Sequence, residues 1–260
     1  MRRAVVAGVC WALVGPLIVL LSFPVAAQVG VASYRIEPIT GGLKELKLRF
    51  DPLQLGLLEK LNRRDLDHMG RLSQIVVAAG WNQDELALSP LPRNYPVAAA
   101  YAKLIVVQQP FQVFGAYEYG RLVRWGPVST GRRSRPTPYG LFHLNWRSVG
   151  RHSTVDADWY MRWYFNFDNR QGLSLHEYEL PGFAASHACV RLLARDARWI
   201  FDWAEGWQLS ANRKEVIRPG TPLYIVGAYD FGNPPPWMAL EHLSTRIVLP
   251  EMISEPDMRP

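Results

Sequence analysis

The stretch from Ser174 to Leu192 gathers the side chains best suited to covalent chemistry: the imidazoles of His176 and His187, the thiol of Cys189 and the guanidinium of Arg191. A thiol is a weak nucleophile until its proton is taken, and a nearby imidazole is the usual agent. These residue types at this spacing point to cysteine-dependent acyl transfer. The chain holds two cysteines and six histidines. The second cysteine, Cys10, lies in a segment that reads as removed on export.

In that segment Arg2 and Arg3 precede an uncharged apolar run from Ala4 to Leu21, and Pro24-Val25-Ala26-Ala27 offers small residues for cleavage after Ala27. Residues 1–27 are expected to be a signal peptide and the mature protein to work in the periplasm or cell envelope. The run approaches the length of a short membrane span, so its retention would leave an anchor touching the membrane. A lipid-anchoring signal at Cys10 is disfavoured, because Val9 is too large for the position before such a cysteine. Export changes the meaning of Cys189. Oxidising surroundings pair thiols, and a lone thiol there needs a task or deep burial.

Composition narrows the partners. The formal charge is +6 at pH 7, and two of the positive charges leave with Arg2 and Arg3. Such mild basicity suits an anionic wall polymer but identifies nothing by itself. Without a dense basic stripe, nucleic acid is not an expected partner. No cofactor is implied either. A zinc site from His176, His187 and Cys189 would need a fourth ligand or a catalytic water, and no Cys-x-x-Cys or His-x-x-x-His pair supports it.

The elements that must position these residues follow from periodicity. Residues 28–100 read as a small α/β N-terminal region: a short polar lead, an alternating edge strand over Leu43–Phe50, a helix from Gln54 to Leu72 and a strand over Gln74–Ala78. Read as two short helices followed by a strand, it is similar to a degenerate LysM glycan-binding module, but a clear opening strand and a repeat are missing. A plain structural subdomain is the preferred reading. Ser89–Pro96 is a proline-rich linker.

From Ala102 onward the chain turns to short strands: Leu104–Val107, Phe111–Phe114, Leu122–Trp125, Leu141–Trp146 and Trp159–Phe165. One helix is expected from Asp196 to Glu205, with Asp196 as N-cap and Gly206 as stop. Pro222–Val226 reads as the last strand, and residues 227–260 as a proline-rich tail that wraps around the rest. The fold class is mainly β, of the α+β kind.

Three segments fall in a telling order: Val128-Ser129-Thr130-Gly131, then Thr137-Pro138-Tyr139-Gly140-Leu141-Phe142, then His176 followed by Ser186-His187-Ala188-Cys189-Val190-Arg191. Over residues 102–226 this pattern resembles the L,D-transpeptidase family, the YkuD-type catalytic domain. The resemblance implies a β-sandwich with one or two packed helices, and a peptidoglycan stem tetrapeptide as donor. It also implies Cys189 as nucleophile, His176 as its base and an amine acceptor that resolves a thioester after D-alanine leaves.

His187, Arg191, Ser186, Ala188, Glu177 and Tyr139 would then support the site or touch substrate. His187 is open between base, substrate contact and turn residue. Arg191 is open between a stem carboxylate and a structural ion pair. Ser186 looks more like a turn residue than a second nucleophile. The aromatic strand Trp159–Phe165 reads first as core, with Tyr139, Trp163 and Tyr164 as the alternative border of the donor groove. Two departures from the family stand out. Ala188 occupies a position where glycine is usual, so a positive φ there would store on the order of 1 kcal/mol. Glu177 follows His176 where glycine or serine is common, but the main-chain carbonyl that orients the histidine can come from any residue.

Papain-like hydrolases run cysteine before histidine, the reverse order, and the sortase Thr-Leu-x-Thr-Cys signature is missing. Two alternatives remain: a non-catalytic wall-binding protein with a vestigial cysteine, and an L,D-carboxypeptidase-type hydrolase that shares the acyl-enzyme.

Overall fold

A computed structural model of the chain describes residues 34–81, 84–154, 156–239 and 246–254. The expected signal peptide and Cys10 lie outside the described residues. The described residues belong to one compact unit.

The N-terminal region begins with β1 (Tyr34–Pro38), followed by α1 (Gly42–Arg49), α2 (Pro52–Asn62), α3 (Leu66–Met69) and β2 (Gln74–Ala78). β1 and β2 pair antiparallel, Tyr34 opposite Ala78. The polar lead is therefore partly a strand, and the opening strand that the sequence lacked is present. The expected edge strand over Leu43–Phe50 is instead helix α1. Leu46 and Phe50, four apart, are buried while Leu48 is exposed, a helical and not a two-residue period. Glu45 fixes the helix start by accepting from the N–H groups of Thr40 and Gly41 at 2.8 and 2.6 Å. The long helix expected to Leu72 breaks after Asn62, where Arg63 adopts φ 55°. Asp65 then caps α3 through the His68 N–H at 2.8 Å.

The remaining strands are β3 (Leu104–Gln108), β4 (Val113–Glu118), β5 (Arg121–Ser129), β6 (Gly140–His143), β7 (Arg147–His152), β8 (Tyr160–Asp168), β9 (Leu173–Glu177) and β10 (Val190–Leu192). After α4 (Ala194–Trp203) come β11 (Gln208–Leu209), β12 (Val216–Arg218) and β13 (Pro222–Val226). Nine of them make one sheet in the order β6-β13-β3-β4-β5-β10-β9-β8-β7. The sheet curls. Ile105, Val107 and Phe114 at one end share a core with Phe165, Phe167, Leu175 and Val190 at the other, and with Ala197 and Ile200 of α4. A single curled sheet thus supplies both walls of the expected sandwich, in a mainly β α+β fold.

The opposite face of β3, β4 and β5 is buried too. Leu104, Val106, Val113, Tyr117 and Trp125 pack against Leu61, Val76, Leu88, Leu91 and Tyr95 from the N-terminal side and Ile247 and Leu249 from the tail. Burial on both faces explains why Leu104–Val107 reads as an unbroken apolar run. The proline-rich linker is packed as well: Ser89, Leu91 and Tyr95 are all buried.

α4 starts at Ala194, two residues before the expected cap. Asp196 does not cap it, because its carboxylate is fully buried and pairs with Arg124 at 2.7 Å. Gly126 permits this pairing: a Cβ there would stand 2.5 Å from Asp196 Oδ2.

Candidate active site

β9 and β10 run parallel, with Leu175 opposite Val190 and His176 opposite Arg191. Side chains alternate along a strand, so Ser174 and His176 share one face. Cys189, one residue before β10, comes to lie beside Ser174. The Ser174 hydroxyl donates to Cys189 Sγ at 3.5 Å. His176, Cys189 and Arg191 line one cavity of about 400 Å³ together with His187, Trp159, Met161 and Tyr164, and Ser174 is buried behind Cys189.

His176 is 4% exposed, and its Nδ1 is 2.9 Å from the Glu177 carbonyl. A carbonyl can only accept, so Nδ1 carries the proton and Nε2 keeps its lone pair. Burial pulls the imidazole pKa down to about 4, with Arg191 adding to the effect against the Glu177 carbonyl. The Cys189 thiol is pushed up by burial, against the lowering influence of Ser174 and Arg191. The resting pair is a neutral imidazole and a neutral thiol. No hydrogen bond joins them in this geometry.

The turn carrying the thiol is held from two directions. The Thr137 hydroxyl donates to the Ala188 carbonyl at 2.9 Å and accepts from the Gly131 N–H at 2.8 Å. Ser129 Oγ donates to the Phe183 carbonyl at 2.7 Å and accepts from the Ala185 N–H at 3.1 Å. Gly131 is needed where the segments converge, since a Cβ would meet the Arg135 carbonyl at 2.1 Å. Ala188 itself sits at φ 73°, the left-handed region that favours glycine. The upstream segments are therefore the clamp of the cysteine turn, a role that separation in sequence conceals.

Ser186 spends its hydroxyl on the Cys189 carbonyl, and its main chain bonds Thr130 and Arg132. It is a turn residue in this geometry. His187 packs against Trp159 with ring centroids 4.8 Å apart, and its buried Nδ1 has no partner. Burial and then Arg132, Arg191 and Arg135 lower its pKa. Arg191 lies over the Tyr178 ring at 4.5 Å. The acid partner that the sequence left open is not there: no ion pair to Arg191 is found among the described residues. Glu177 approaches Arg162 at 3.7 Å and contributes its carbonyl to His176.

Of the aromatic residues weighed between core and groove, Tyr164 lines the cavity, while Tyr139 and Trp163 do not and Trp163 packs against the core as the strand's first reading has it. A bulge explains Trp163. The register of β8 against β9 slips between Arg162 and Phe165, and Trp163 takes φ 52° to turn onto Phe201 of α4. Ser174 is the site residue that the sequence reading passed over. A small polar residue two positions before a strand histidine is the signal that points to it.

Comparison with known proteins fits this geometry. Residues 102–225 match the YkuD family model, the L,D-transpeptidase catalytic domain. No curated protein matches the chain. Similar solved structures include an L,D-transpeptidase from Stackebrandtia nassauensis, 20% identical over 49% of this chain and 57% of that one, with a TM-score of 0.40. L,D-transpeptidase 1 from Mycobacterium tuberculosis is 23% identical over 48% of this chain and 62% of its own, TM-score 0.37. An L,D-transpeptidase from Xylanimonas cellulosilytica is 22% identical over 66% and 78%, TM-score 0.43. The chain spans less than two thirds of the length of the first two. Residues 102–225, just under half of the chain, are thus a YkuD-type domain, the L,D-transpeptidase catalytic domain of the family model.

Proposed function

We propose that the protein is an exported peptidoglycan L,D-transpeptidase that works through a Cys189 thioester. The observation that carries this reading is the pairing on β9 and β10. A thiol and an Nδ1-pinned imidazole line one open cavity, on the strands that the family's motif occupies.

Cys189 Sγ attacks the carbonyl of the penultimate residue of a stem tetrapeptide as His176 Nε2 takes the thiol proton. The tetrahedral oxyanion accepts from main-chain N–H groups of the Ala188–Cys189 turn, a contribution of about 3–4 kcal/mol per donor. The C–N bond then breaks. The imidazolium returns its proton to the departing D-alanine amine, leaving a thioester. An acceptor amine attacks the thioester and loses a proton to His176. The C–S bond breaks, and the thiolate recovers that proton. A neutral resting pair suits this sequence, because the imidazole is ready to accept and the thiol is protected from adventitious oxidation until substrate arrives.

Intact-protein mass spectrometry tests the assignment. Incubation with a defined stem tetrapeptide, or with a carbapenem whose strained lactam carbonyl mimics the scissile amide, is expected to add one acyl mass to the parent. The same treatment should leave Cys189→Ala unmodified. His176→Ala should slow acylation by about two to four orders of magnitude, the usual value of a positioned base. An unmodified parent with a titratable thiol would overturn the reading.

A further inference from the structure

The cavity around Cys189 is one-sided in charge. Arg151, Arg170 and Arg191 line it together with two histidines, and no aspartate or glutamate does. Arg151 and Arg191 are both held against aromatic rings, and Arg151 is the one that lies outside the cysteine segment. It stands on β7 opposite Met161, whose side chain also lines the cavity. Its guanidinium lies over the rings of Trp146 and Tyr164, at 5.2 and 5.0 Å from their centroids. Those rings stack on each other at 5.1 Å with 29° between their planes.

Ring faces hold a guanidinium without consuming its in-plane N–H donors. Two other stacked arginines spend their donors, whereas Arg191, over Tyr178, does not. Arg124 lies over Trp199 and binds Asp196, and Arg147 lies over Phe201 and binds main-chain carbonyls. The Arg151 guanidinium has no ion pair or hydrogen bond among the described residues, although the residue is half-buried. A pre-oriented, unpaired fork in an acid-free cavity matches the geometry of a carboxylate.

Building on the transpeptidase reading, we infer that Arg151 is a specificity residue that binds a free carboxylate of the donor stem. Two carboxylates meet the chemistry: one on the side chain of the residue whose carbonyl is attacked, and that of the terminal D-alanine. An uncharged carboxamide in the same place cannot form the charged, two-point contact and leaves the guanidinium desolvated.

Acylation rates with three tetrapeptide donors test this. One carries both carboxylates, one has the side-chain carboxylate replaced by carboxamide, and one ends in D-alaninamide. The parent protein is expected to favour the fully anionic donor about 10- to 100-fold over one of the amides, mostly through KM, as a charge-assisted hydrogen bond warrants. Whichever amide is penalised identifies the carboxylate. In Arg151→Gln the ratio between the two donors should collapse towards one, and in Arg151→Lys part of it should return. The ratio is read within one preparation, so partial unfolding of a variant does not alter it. Equal rates with all three donors in the parent, or an unchanged ratio in Arg151→Gln, would overturn the inference and leave the transpeptidase reading standing. No acylation by any donor would overturn both.

Discussion

At the residue scale, the site combines a protonated thiol with an unprotonated base. His176 is held to about 4 by burial, and Cys189 is raised by the same cause. Alkylation of Cys189 by iodoacetamide should therefore be slower at pH 7 than that of an unhindered cysteine, and should climb only at a more alkaline pH than an ordinary thiol needs. Acylation by a stem donor should instead stay active down to about pH 4, where His176 gains its proton. A fast, pH-independent alkylation near neutrality would show a resting thiolate and contradict this account.

Ala188 is the second residue-scale case. Relief of its φ 73° strain by glycine is offset by loss of a buried methyl, each on the order of 1 kcal/mol. Ala188→Gly should leave thermal stability nearly unchanged, whereas Ala188→Val, β-branched at positive φ, should cost about 2 kcal/mol or more. Paired melting curves of the two variants check the contrast.

At the scale of elements, the N-terminal helices grip the segment that leads into the cysteine loop. Asp65 Oδ2 accepts from the Leu180 N–H at 2.7 Å, the Asp65 N–H donates to the Leu180 carbonyl at 3.1 Å, and Arg64 bridges Pro181. Glu59 of α2 binds Arg195 of α4 beside them. Asp65→Ala removes both this acceptor and the α3 cap. It should lower stability by about 1–3 kcal/mol. Because the loop ahead of Cys189 is loosened, kcat for acylation should also fall. Lost stability with unchanged acylation of the folded fraction would show that the grip is structural only.

The Leu43–Phe50 correction belongs at this scale. Its leucines fit a short alternation and a helical stripe about equally. The outcome was decided by Glu45 capping the helix start and by the core that receives Leu46 and Phe50.

At the scale of the whole molecule, the catalytic sheet has no free face to spare. Removal of the residues before 102 would bare Leu104, Val106, Val113, Tyr117 and Trp125 to water. Such a truncation is expected to be insoluble or to lack a cooperative melting transition, although it retains every residue proposed for chemistry. The buried histidine gives stability a pH dependence of defined sign. Unfolded His176 takes its proton near 6.5 and the folded one near 4, so acid favours the unfolded chain between those values. The stability from neutral His176 is complete above about pH 6.5 and is lost as pH falls towards about 4, in an amount of about 3 kcal/mol at 1.36 kcal/mol per pH unit. Denaturant titrations of the parent and His176→Gln should converge or cross in that window.

The sequence by itself determined the family's order of segments and which thiol and imidazoles are proposed for acyl transfer, because residue type and motif spacing are local properties of the chain. It also determined the mainly β class, through short apolar strands set off by glycines, and the doubly buried β3 through its unbroken Leu104–Val107 run. Tertiary structure alone decided the rest. The parallel register of β9 and β10 brings Ser174 to Cys189. The clamp from Thr137 fixes Ala188, a bulge sends Trp163 to the core while Tyr164 faces the cavity, and the absence of acids leaves Arg151 unpaired. Each of these depends on residues far apart in the chain meeting in space, and pairing register, burial and charge balance are properties of that meeting and not of any one segment.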